Sequence, residues 1–262
     1  MEVIIRSTEP AAATLVARVI ACELRARPQL VLGLATGRTM EKVYAELVRE
    51  HREARLDFSR CRTFNLDEYI GLPSIDPHSY RHYMNTQLFQ RVDIDPRNTH
   101  LPDGMATDLK AECQHYEELI RDCSGIDIQL LGIGRSGHIG FNEPLSALRS
   151  RTREKALTPT TIEQNAALFG GATGQVPRRA ITMGVGTILE AHRIIVLVTG
   201  VEKAAIVAQA VEGPITAMVT ASVLQLHPRC TVVVDEAAAS KLKGTDYYRW
   251  IFANEPEWQS FQ

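Results

Sequence analysis

The sequence predicts an α/β protein with one doubly wound, mostly parallel open sheet of about seven strands. Short β-branched or apolar segments alternate along the chain with longer segments of helical periodicity, and this alternation is typical of βαβ units. No repeat, charge block or linker divides the 262 residues, so we expect a single domain over residues 1–262. The 45% hydrophobic and 23% charged residues are typical of a globular protein that buries a large core.

Seven segments have the composition of buried strands in such a sheet. They are Val3–Ile5, Leu30–Leu34, Arg62–Leu66, Asp127–Leu131, Arg179–Met183, Arg193–Thr199 and Arg229–Val234. Their spacing leaves room for a crossover helix between most of them, as parallel strands require.

The clearest helix covers residues 39–50, with Thr39 as its predicted N-cap. Met40, Val43 and Leu47 recur there at helical spacing, so one face of the helix is expected to pack on the sheet. Further helix starts are predicted at Thr8, at Thr107 and after Gly200.

Charge and composition exclude several classes of partner. The 29 Lys and Arg residues and 31 Asp and Glu residues give a formal net charge of −2, which disfavours an electrostatic nucleic-acid binder. The apolar stretch Ile194–Val198 is far shorter than the roughly 20 residues of a membrane span, and the first ten residues do not resemble a secretory signal. The 5 cysteines lack disulfide or metal-ligand spacing, so we expect a cytoplasmic protein without a bound metal.

A glycine-containing turn follows the second predicted strand. Ligands of parallel sheets bind outside the carboxyl ends of the strands, where helix N-termini point inward. The segment Thr36–Thr39 lies at such an end and leads directly into a helix. Its backbone N–H groups could hold a phosphate, although the same turn is also consistent with simple helix geometry. It is not a Walker loop, because Arg38 stands where that motif has lysine.

The third predicted strand ends in two carboxylates, Asp67 and Glu68. Side chains of adjacent strand residues point to opposite faces. One carboxylate can therefore face a crevice while the other makes a structural hydrogen bond or meets solvent. Two solvated carboxylates are the alternative interpretation.

A glycine-rich loop after the fourth predicted strand carries a candidate acid–base pair. Gly132, Gly134 and Gly137 match the GxGxxG pattern of dinucleotide-binding turns. We reject that interpretation, because Gly140 and Pro144 disfavour the helix that must follow. The loop instead places His138 shortly before Glu143, a pair that can move protons near neutral pH. A purely structural histidine is the alternative.

Two cations stand at predicted helix starts, where the helix dipole disfavours positive charge by roughly 0.3 to 1 kcal/mol each. Arg38 is at the start of one helix, and Lys203 is in the first turn of another. A bound dianion such as a phosphate would compensate this local cost. The alternative is that both side chains extend into solvent.

Residues 158–177 form a polar stretch interrupted by Gly170, Gly171 and Gly174. Its length is that of a mobile active-site lid, or of an ordinary surface loop. We refer to this segment as the candidate lid.

These residues together resemble the glucosamine/galactosamine-6-phosphate isomerase family, which includes the glucosamine-6-phosphate deaminases. The resemblance is carried by LGLATG, FNLDEYIGL, HSYRHYMN, LLGIGRSGHIGFNEP, SRTR, VPRRAITMGVGTIL and LQLHP. It implies the Rossmann-like sugar-phosphate isomerase fold, which is shared with ribose-5-phosphate isomerase and CoA transferase-like proteins. It also implies an amino-sugar deaminase of the hydrolase class that gives fructose 6-phosphate and ammonia without a cofactor.

The resemblance also implies roles for individual residues. Asp67 matches the family's base for enolisation, and His138 with Glu143 matches the acid–base residues of ring opening, with Ser136 beside them. The residues that match the substrate-phosphate site are Thr36, Gly37, Arg38, Thr39 and Lys203.

Three positions depart from the family pattern. Ser136 stands where the family commonly has an acid or Asn, Arg38 interrupts a loop that usually reads TGGT or TGST, and Ala167 replaces a phosphate-binding arginine of the lid. Serine cannot carry charge, so ring opening is expected to be slower. Our hypothesis is that Arg38 supplies the guanidinium that is lost at Ala167.

Some members of the family are hexamers activated by N-acetylglucosamine 6-phosphate at a subunit interface. Ser146, Arg153 and Lys155 match polar residues of that effector site. We therefore expect a homo-oligomer, with a hexamer and allosteric activation permitted by the sequence. The alternative is that Arg153 and Lys155 are ordinary surface cations.

Two other functions compete with deamination. A 6-phosphogluconolactonase has a related glycine–histidine loop, but that loop usually continues toward SLFP and its reaction needs no enolisation base. A catalytically silent sugar-phosphate sensor is favoured only by Ser136 and Ala167. Release of ammonia distinguishes the deaminase from both.

Overall fold

The computed structural model describes residues 1–262. Its strands are β1 (Glu2–Arg6), β2 (Val31–Leu34), β3 (Arg62–Asn65), β4 (Asp67–Tyr69), β5 (Thr99–His100), β6 (Ile128–Leu131), β7 (Arg153–Ala156), β8 (Arg179–Thr182), β9 (Arg193–Val198) and β10 (Cys230–Asp235). Its α-helices are α1 (Glu9–Ala26), α2 (Arg38–Ala54), α3 (Tyr80–Gln87), α4 (Leu109–Asp122), α5 (Pro159–Asn165), α6 (Val185–Leu189), α7 (Ala204–Glu212), α8 (Glu236–Ala239) and α9 (Thr245–Asn254). Short 3₁₀ turns cover Phe89–Arg91, Pro96–Asn98, Ala166–Phe169, Thr173–Gln175, Val201–Lys203, Thr220–Leu226 and Pro256–Phe261.

A seven-stranded sheet of order β1-β10-β9-β6-β2-β3-β5 forms the centre of the molecule. All of its strand pairs are parallel, so the predicted doubly wound α/β sheet is confirmed. The chain leaves β2 toward β3 on one side, and β6 begins the other half of the sheet on the opposite side of β2. The β2/β6 boundary is therefore the switch point, where such folds bind ligands.

One predicted strand belongs to a different sheet. β8 was expected in the parallel sheet, but it pairs antiparallel with β4 and β7 in a separate three-stranded sheet. The seventh place in the parallel sheet is taken by β5, which was not predicted because two residues carry no readable periodicity. β4 follows β3 after a single residue, Leu66, whose N–H still bonds to Leu34 while its carbonyl accepts from Met183.

Only one of the three predicted helix caps is correct. The Thr8 hydroxyl caps α1 by accepting from the Ala11 N–H at 3.3 Å. Thr39 does not cap α2, because that helix begins one residue earlier, behind Gly37 at φ 114°. α4 is capped by Asp108 rather than Thr107.

The candidate lid consists of α5 and two 3₁₀ turns. Its Ala166, Phe169 and Val176 are buried in a small apolar cluster with Tyr69 and Phe141, apart from the main core. The segment therefore packs against the strand and loop that carry the predicted catalytic residues. No helix in the structure has both the length and the apolar character that crossing a membrane requires.

Candidate active site

The predicted site residues lie at the carboxyl ends of the central strands. Thr36–Thr39 follows β2, the glycine-rich loop follows β6, and Lys203 follows β9. β6 pairs with both β2 and β9, so these three connections leave the same edge of the sheet side by side. The Lys203 Nζ donates to the carbonyl of Ile133 on the glycine-rich loop at 2.7 Å.

Asp67 lies directly beneath the loop that carries His138. It pairs with Thr182 across the small sheet and is 6% exposed. A Cβ added to Gly140 would lie 3.4 Å from the Asp67 Oδ2 and 2.9 Å from the Thr182 Oγ1. The Thr182 hydroxyl oxygen accepts the Phe141 N–H at 3.0 Å. Gly140 therefore allows the loop backbone to cross the Asp67 carboxyl at close range.

Asp67 and Glu68 have different environments, as strand alternation predicted. Glu68 accepts hydrogen bonds from the backbone N–H groups of Tyr69, Tyr80 and Arg81, so it anchors the start of α3. The Asp67 carboxyl accepts no comparable backbone hydrogen bonds. Burial, together with the neighbouring Glu68 charge, raises its pKa to about 8. A carboxyl with a pKa near neutrality is suited to proton transfer.

His138 lies between two hydrogen-bonding side chains. Its Nδ1 is 2.8 Å from the Ser136 Oγ and 3.1 Å from the Glu143 Oε2. A Cβ at Gly134 would come 2.0 Å from the His138 Nε2, so the imidazole packs against the Gly134 backbone in the space that a side chain would fill. The structure thus brings together the three residues that the sequence analysis placed in one acid–base group.

Glu143 is held as a buried carboxylate. Burial opposes its ionisation, but the hydrogen bond from His138, then a hydroxyl of Thr161, the His138 charge and the Thr158 N–H outweigh burial and lower its pKa to about 2. Glu143 is therefore ionised throughout the neutral range and can stabilise a protonated imidazole.

The residues of the predicted phosphate site surround the start of α2 and the β6 loop. Gly37 has a positive φ of 114°, and its carbonyl accepts from the Tyr83 hydroxyl at 2.9 Å. Arg38 is the first residue of α2 and is exposed, whereas Thr36 and Thr39 are partly buried. Burial lowers the pKa of Lys203, and the nearby Arg135 lowers it further while Glu202 opposes the shift.

Sequence reasoning missed Arg135, Asn142 and Thr182. Arg135 lies on the glycine-rich loop close enough to Lys203 to depress its pKa. The Asn142 Nδ2 donates to the carbonyls of Ile139 and Met183 and thereby fixes the loop. A cation inside the glycine-rich loop, between Gly134 and Gly137, could have indicated Arg135. Asn142 and Thr182 act through tertiary contacts that a sequence pattern does not encode.

The predicted effector residues lie outside the side-chain hydrogen-bonded group of Ser136, His138 and Glu143. Arg153 donates to the Asn142 Oδ1 at 2.8 Å, and burial lowers its pKa. Lys155 is on the same strand, β7, and is partly exposed. Ser146 is buried, and its hydroxyl has no hydrogen-bond partner.

Comparisons with known proteins agree with this geometry. A family model described as glucosamine-6-phosphate isomerases/6-phosphogluconolactonase matches residues 6–233. The glucosamine-6-phosphate deaminase of Arthrobacter sp. (strain FB24) is 49% identical over 259 residues, covering 99% of this chain and 99% of that protein.

Solved structures show the same similarity. A structure described as a monomeric glucosamine-6-phosphate deaminase superposes with a TM-score of 0.90 at 45% identity, covering 92% of this chain and 100% of the other. The 6-phosphogluconolactonase of Trypanosoma cruzi has a TM-score of 0.74 at 20% identity, covering 92% and 97% of the two chains. At that identity the lactonase shares the fold alone.

Proposed function

Because the chain belongs to the family of glucosamine-6-phosphate isomerases and 6-phosphogluconolactonases, we propose that it converts glucosamine 6-phosphate and water into fructose 6-phosphate and ammonia. The observation that carries the proposal is the placement of Asp67 under the His138–Glu143 loop at the switch point of the sheet. Relatives that bear the deaminase name extend over nearly the whole chain at about half identity. A lactonase has no use for an enolisation base at Asp67.

Ring opening is assigned to His138 and Glu143. With Nδ1–H donated to Glu143, the neutral imidazole keeps its lone pair on Nε2, the ring nitrogen that does not face Glu143. It can take the proton of the anomeric hydroxyl and return a proton to the ring oxygen. The Glu143 carboxylate stabilises the imidazolium that forms between these two transfers.

Enolisation is assigned to Asp67. The open-chain aldehyde makes the hydrogen at C2 acidic, and a carboxylate within reach can remove it and deliver a proton to C1. The raised pKa of Asp67, about 8, means that the carboxyl is largely protonated at neutral pH before substrate binds. A cationic amino group at C2 of the substrate lowers this pKa and ionises the base where it is needed. The reaction moves protons and releases ammonia, so it requires no redox cofactor.

Substrate phosphate is assigned to Lys203 and the Thr36–Thr39 turn. Lys203 is a partly buried cation that already faces the catalytic loop. The start of α2 supplies backbone N–H groups, and both features favour a dianion. Binding energy at the phosphate orients the sugar between Asp67 and His138.

Ammonia release from purified protein tests the function. We expect release from glucosamine 6-phosphate or its galactosamine epimer, none from N-acetylglucosamine 6-phosphate, and solvent deuterium incorporation at C1 of the product. Hydrolysis of 6-phosphogluconolactone without ammonia release would instead identify a lactonase. Binding of the amino-sugar esters without turnover of any of them would identify a sensor.

Arg38 is proposed to replace the guanidinium that is missing at Ala167. Its exposed position at the first residue of α2 allows the side chain to reach a phosphate on the Thr36–Thr39 turn. We expect Arg38→Ala to raise KM for the sugar phosphate about tenfold, because a charge-assisted hydrogen bond is lost, while kcat changes little. Arg52→Ala, an exposed arginine farther along α2, is the matched control. An unchanged KM in Arg38→Ala would contradict the proposal that Arg38 replaces the guanidinium missing at Ala167.

Oligomerisation and activation by N-acetylglucosamine 6-phosphate are also proposed, with Ser146, Arg153 and Lys155 as effector residues. Support comes from the contact of Arg153 with Asn142, which is adjacent to Glu143 in the chain. We expect a sigmoidal rate curve that the effector makes hyperbolic, and a loss of this response in Lys155→Ala. Light scattering measures the subunit number. This measurement is needed because the deaminase structure described above is that of a monomer. Hyperbolic curves with and without effector would exclude activation.

We further propose that residues 1–262 act as one domain with 158–177 as its lid, and that the protein works in the cytoplasm. Burial of lid residues beside Tyr69 and Phe141 supports the first proposal. All five cysteines are free thiols, which suits a reducing compartment.

A further inference from the structure

The two oxygens of the Glu143 carboxylate have different partners. Oε2 faces the His138 Nδ1 at 3.1 Å. Oε1 accepts from the backbone N–H of Thr158 at 3.2 Å and from its hydroxyl at 3.1 Å. Glu143 therefore joins the catalytic loop to the first residue of the candidate lid.

Thr158 makes these contacts while it caps α5. Its Oγ1 accepts the Thr161 N–H at 3.3 Å and lies 3.2 Å from the Thr161 Oγ1. A hydroxyl has one proton and two lone pairs, so Thr158 can donate to Glu143 and accept from the Thr161 N–H at the same time. Valine at this position would lose both hydroxyl contacts, the one with Glu143 and the one with the Thr161 N–H, and would keep only the backbone N–H contact with Glu143. Serine would keep all of them.

The position of Glu143 decides which ring nitrogen of His138 carries the proton in the neutral imidazole. The other group near Nδ1 is the neutral Ser136 hydroxyl at 2.8 Å, so Glu143 is the anion that faces this nitrogen. A carboxylate fixed opposite Nδ1 holds the proton there and leaves the Nε2 lone pair for the substrate. With 3% exposure, Glu143 has little access to water that could replace a lost donor.

We propose that Thr158 is a positioning residue for ring opening: it fixes the Glu143 carboxylate, which in turn fixes the tautomer and orientation of His138. The inference rests on the proposed deaminase function. It assigns to the start of the lid a task beyond covering the substrate, because displacement of Thr158 removes two donors from the catalytic carboxylate. Glu143 remains ionised without the Thr158 hydroxyl, because burial, which raises its pKa, is outweighed by the hydrogen bond from His138, the Thr161 hydroxyl, the His138 charge and the Thr158 backbone N–H, which hold the pKa at about 2. The effect is therefore one of geometry rather than of protonation.

The test compares Thr158→Val and Thr158→Ser in ammonia release. We expect Thr158→Val to lower kcat about tenfold, as for loss of one hydrogen bond to a charged group, with KM within about twofold. Thr158→Ser is expected to stay near wild type. Thr8→Val removes a threonine cap from α1, far from the carboxylate, and controls for the cost of losing a helix cap. If Thr158→Val does not fold, as judged by circular dichroism, Thr158→Ala replaces it.

A second readout does not depend on turnover. The Nδ1 proton of His138, bonded to a buried carboxylate, is expected to give a downfield proton NMR signal, assigned by its absence in His138→Gln. The signal should disappear in Thr158→Val and persist in Thr158→Ser and Thr8→Val. Wild-type kcat and a retained signal in Thr158→Val would overturn the inference. Absence of ammonia release from the wild type would refute the proposed function, while the NMR comparison would still decide whether Thr158 fixes His138.

Discussion

Asn in place of Asp67 is expected to lower kcat for ammonia release about 10³-fold, the effect of removing a general base. KM should change much less than kcat: the amide has nearly the same volume as the carboxyl and the proposed phosphate contacts are untouched, so only the attraction between the Asp67 carboxylate and the substrate amino group is lost from binding. Deuterium incorporation at C1 should fall in parallel with ammonia release, because Asp67 is proposed to carry protons between C2 and C1. Both are measured in one assay in deuterated buffer.

Asp127→Asn is a matched control for this variant. Asp127 lies just before β6, at the opposite end of the strands from the crevice. Its carboxylate accepts hydrogen bonds from the Val31 N–H at 2.8 Å and from the Arg27 guanidinium. The control should keep wild-type kcat. A kcat for Asp67→Asn within tenfold of wild type would exclude Asp67 as the base.

The parallel sheet and the site at its carboxyl edge were predictable because both depend on local patterns. Long apolar runs such as Arg193–Val198 and Cys230–Asp235 are buried throughout, so composition alone identifies them as central strands. The separation of Asp67 from Glu68 followed from strand alternation. Ser136, His138 and Glu143 lie within one short loop, so their proximity required no knowledge of the fold.

The missed features depend on contacts between distant segments. β8 looks like any buried strand, and only its pairing with β4 and β7 places it in the small sheet. The Thr158 contact with Glu143 depends on the start of α5 packing against the catalytic loop. A threonine before a proline signals a helix cap in sequence, but the carboxylate it also serves becomes apparent only in three dimensions.

The second large effect expected of Asp67→Asn is on stability. Burial and the neighbouring Glu68 raise the pKa of Asp67 from 3.8 to about 8, so the folded state keeps a proton that the unfolded chain has already lost between these pH values. Stability therefore falls as pH rises through this window and levels off above the folded-state pKa. Above pH 8 the folded protein must hold a buried carboxylate that its own environment disfavours.

Asn removes this cost, because an amide stays neutral at every pH in the window. We expect the melting temperature of Asp67→Asn to exceed that of the wild type by a margin that is smallest near pH 5 and grows by about 10 °C toward pH 8.5. Subtracting the two melting curves cancels the titrating groups that do not interact with Asp67, so the pH dependence of the difference reports Asp67 together with its charge coupling to Glu68. Asp127→Asn, measured in parallel, should give a difference without this rise. A margin for Asp67→Asn that stays constant from pH 5 to 8.5 would mean that the carboxyl titrates normally in the folded protein, and the crevice would then lack the desolvation that makes Asp67 a base poised near neutral pH.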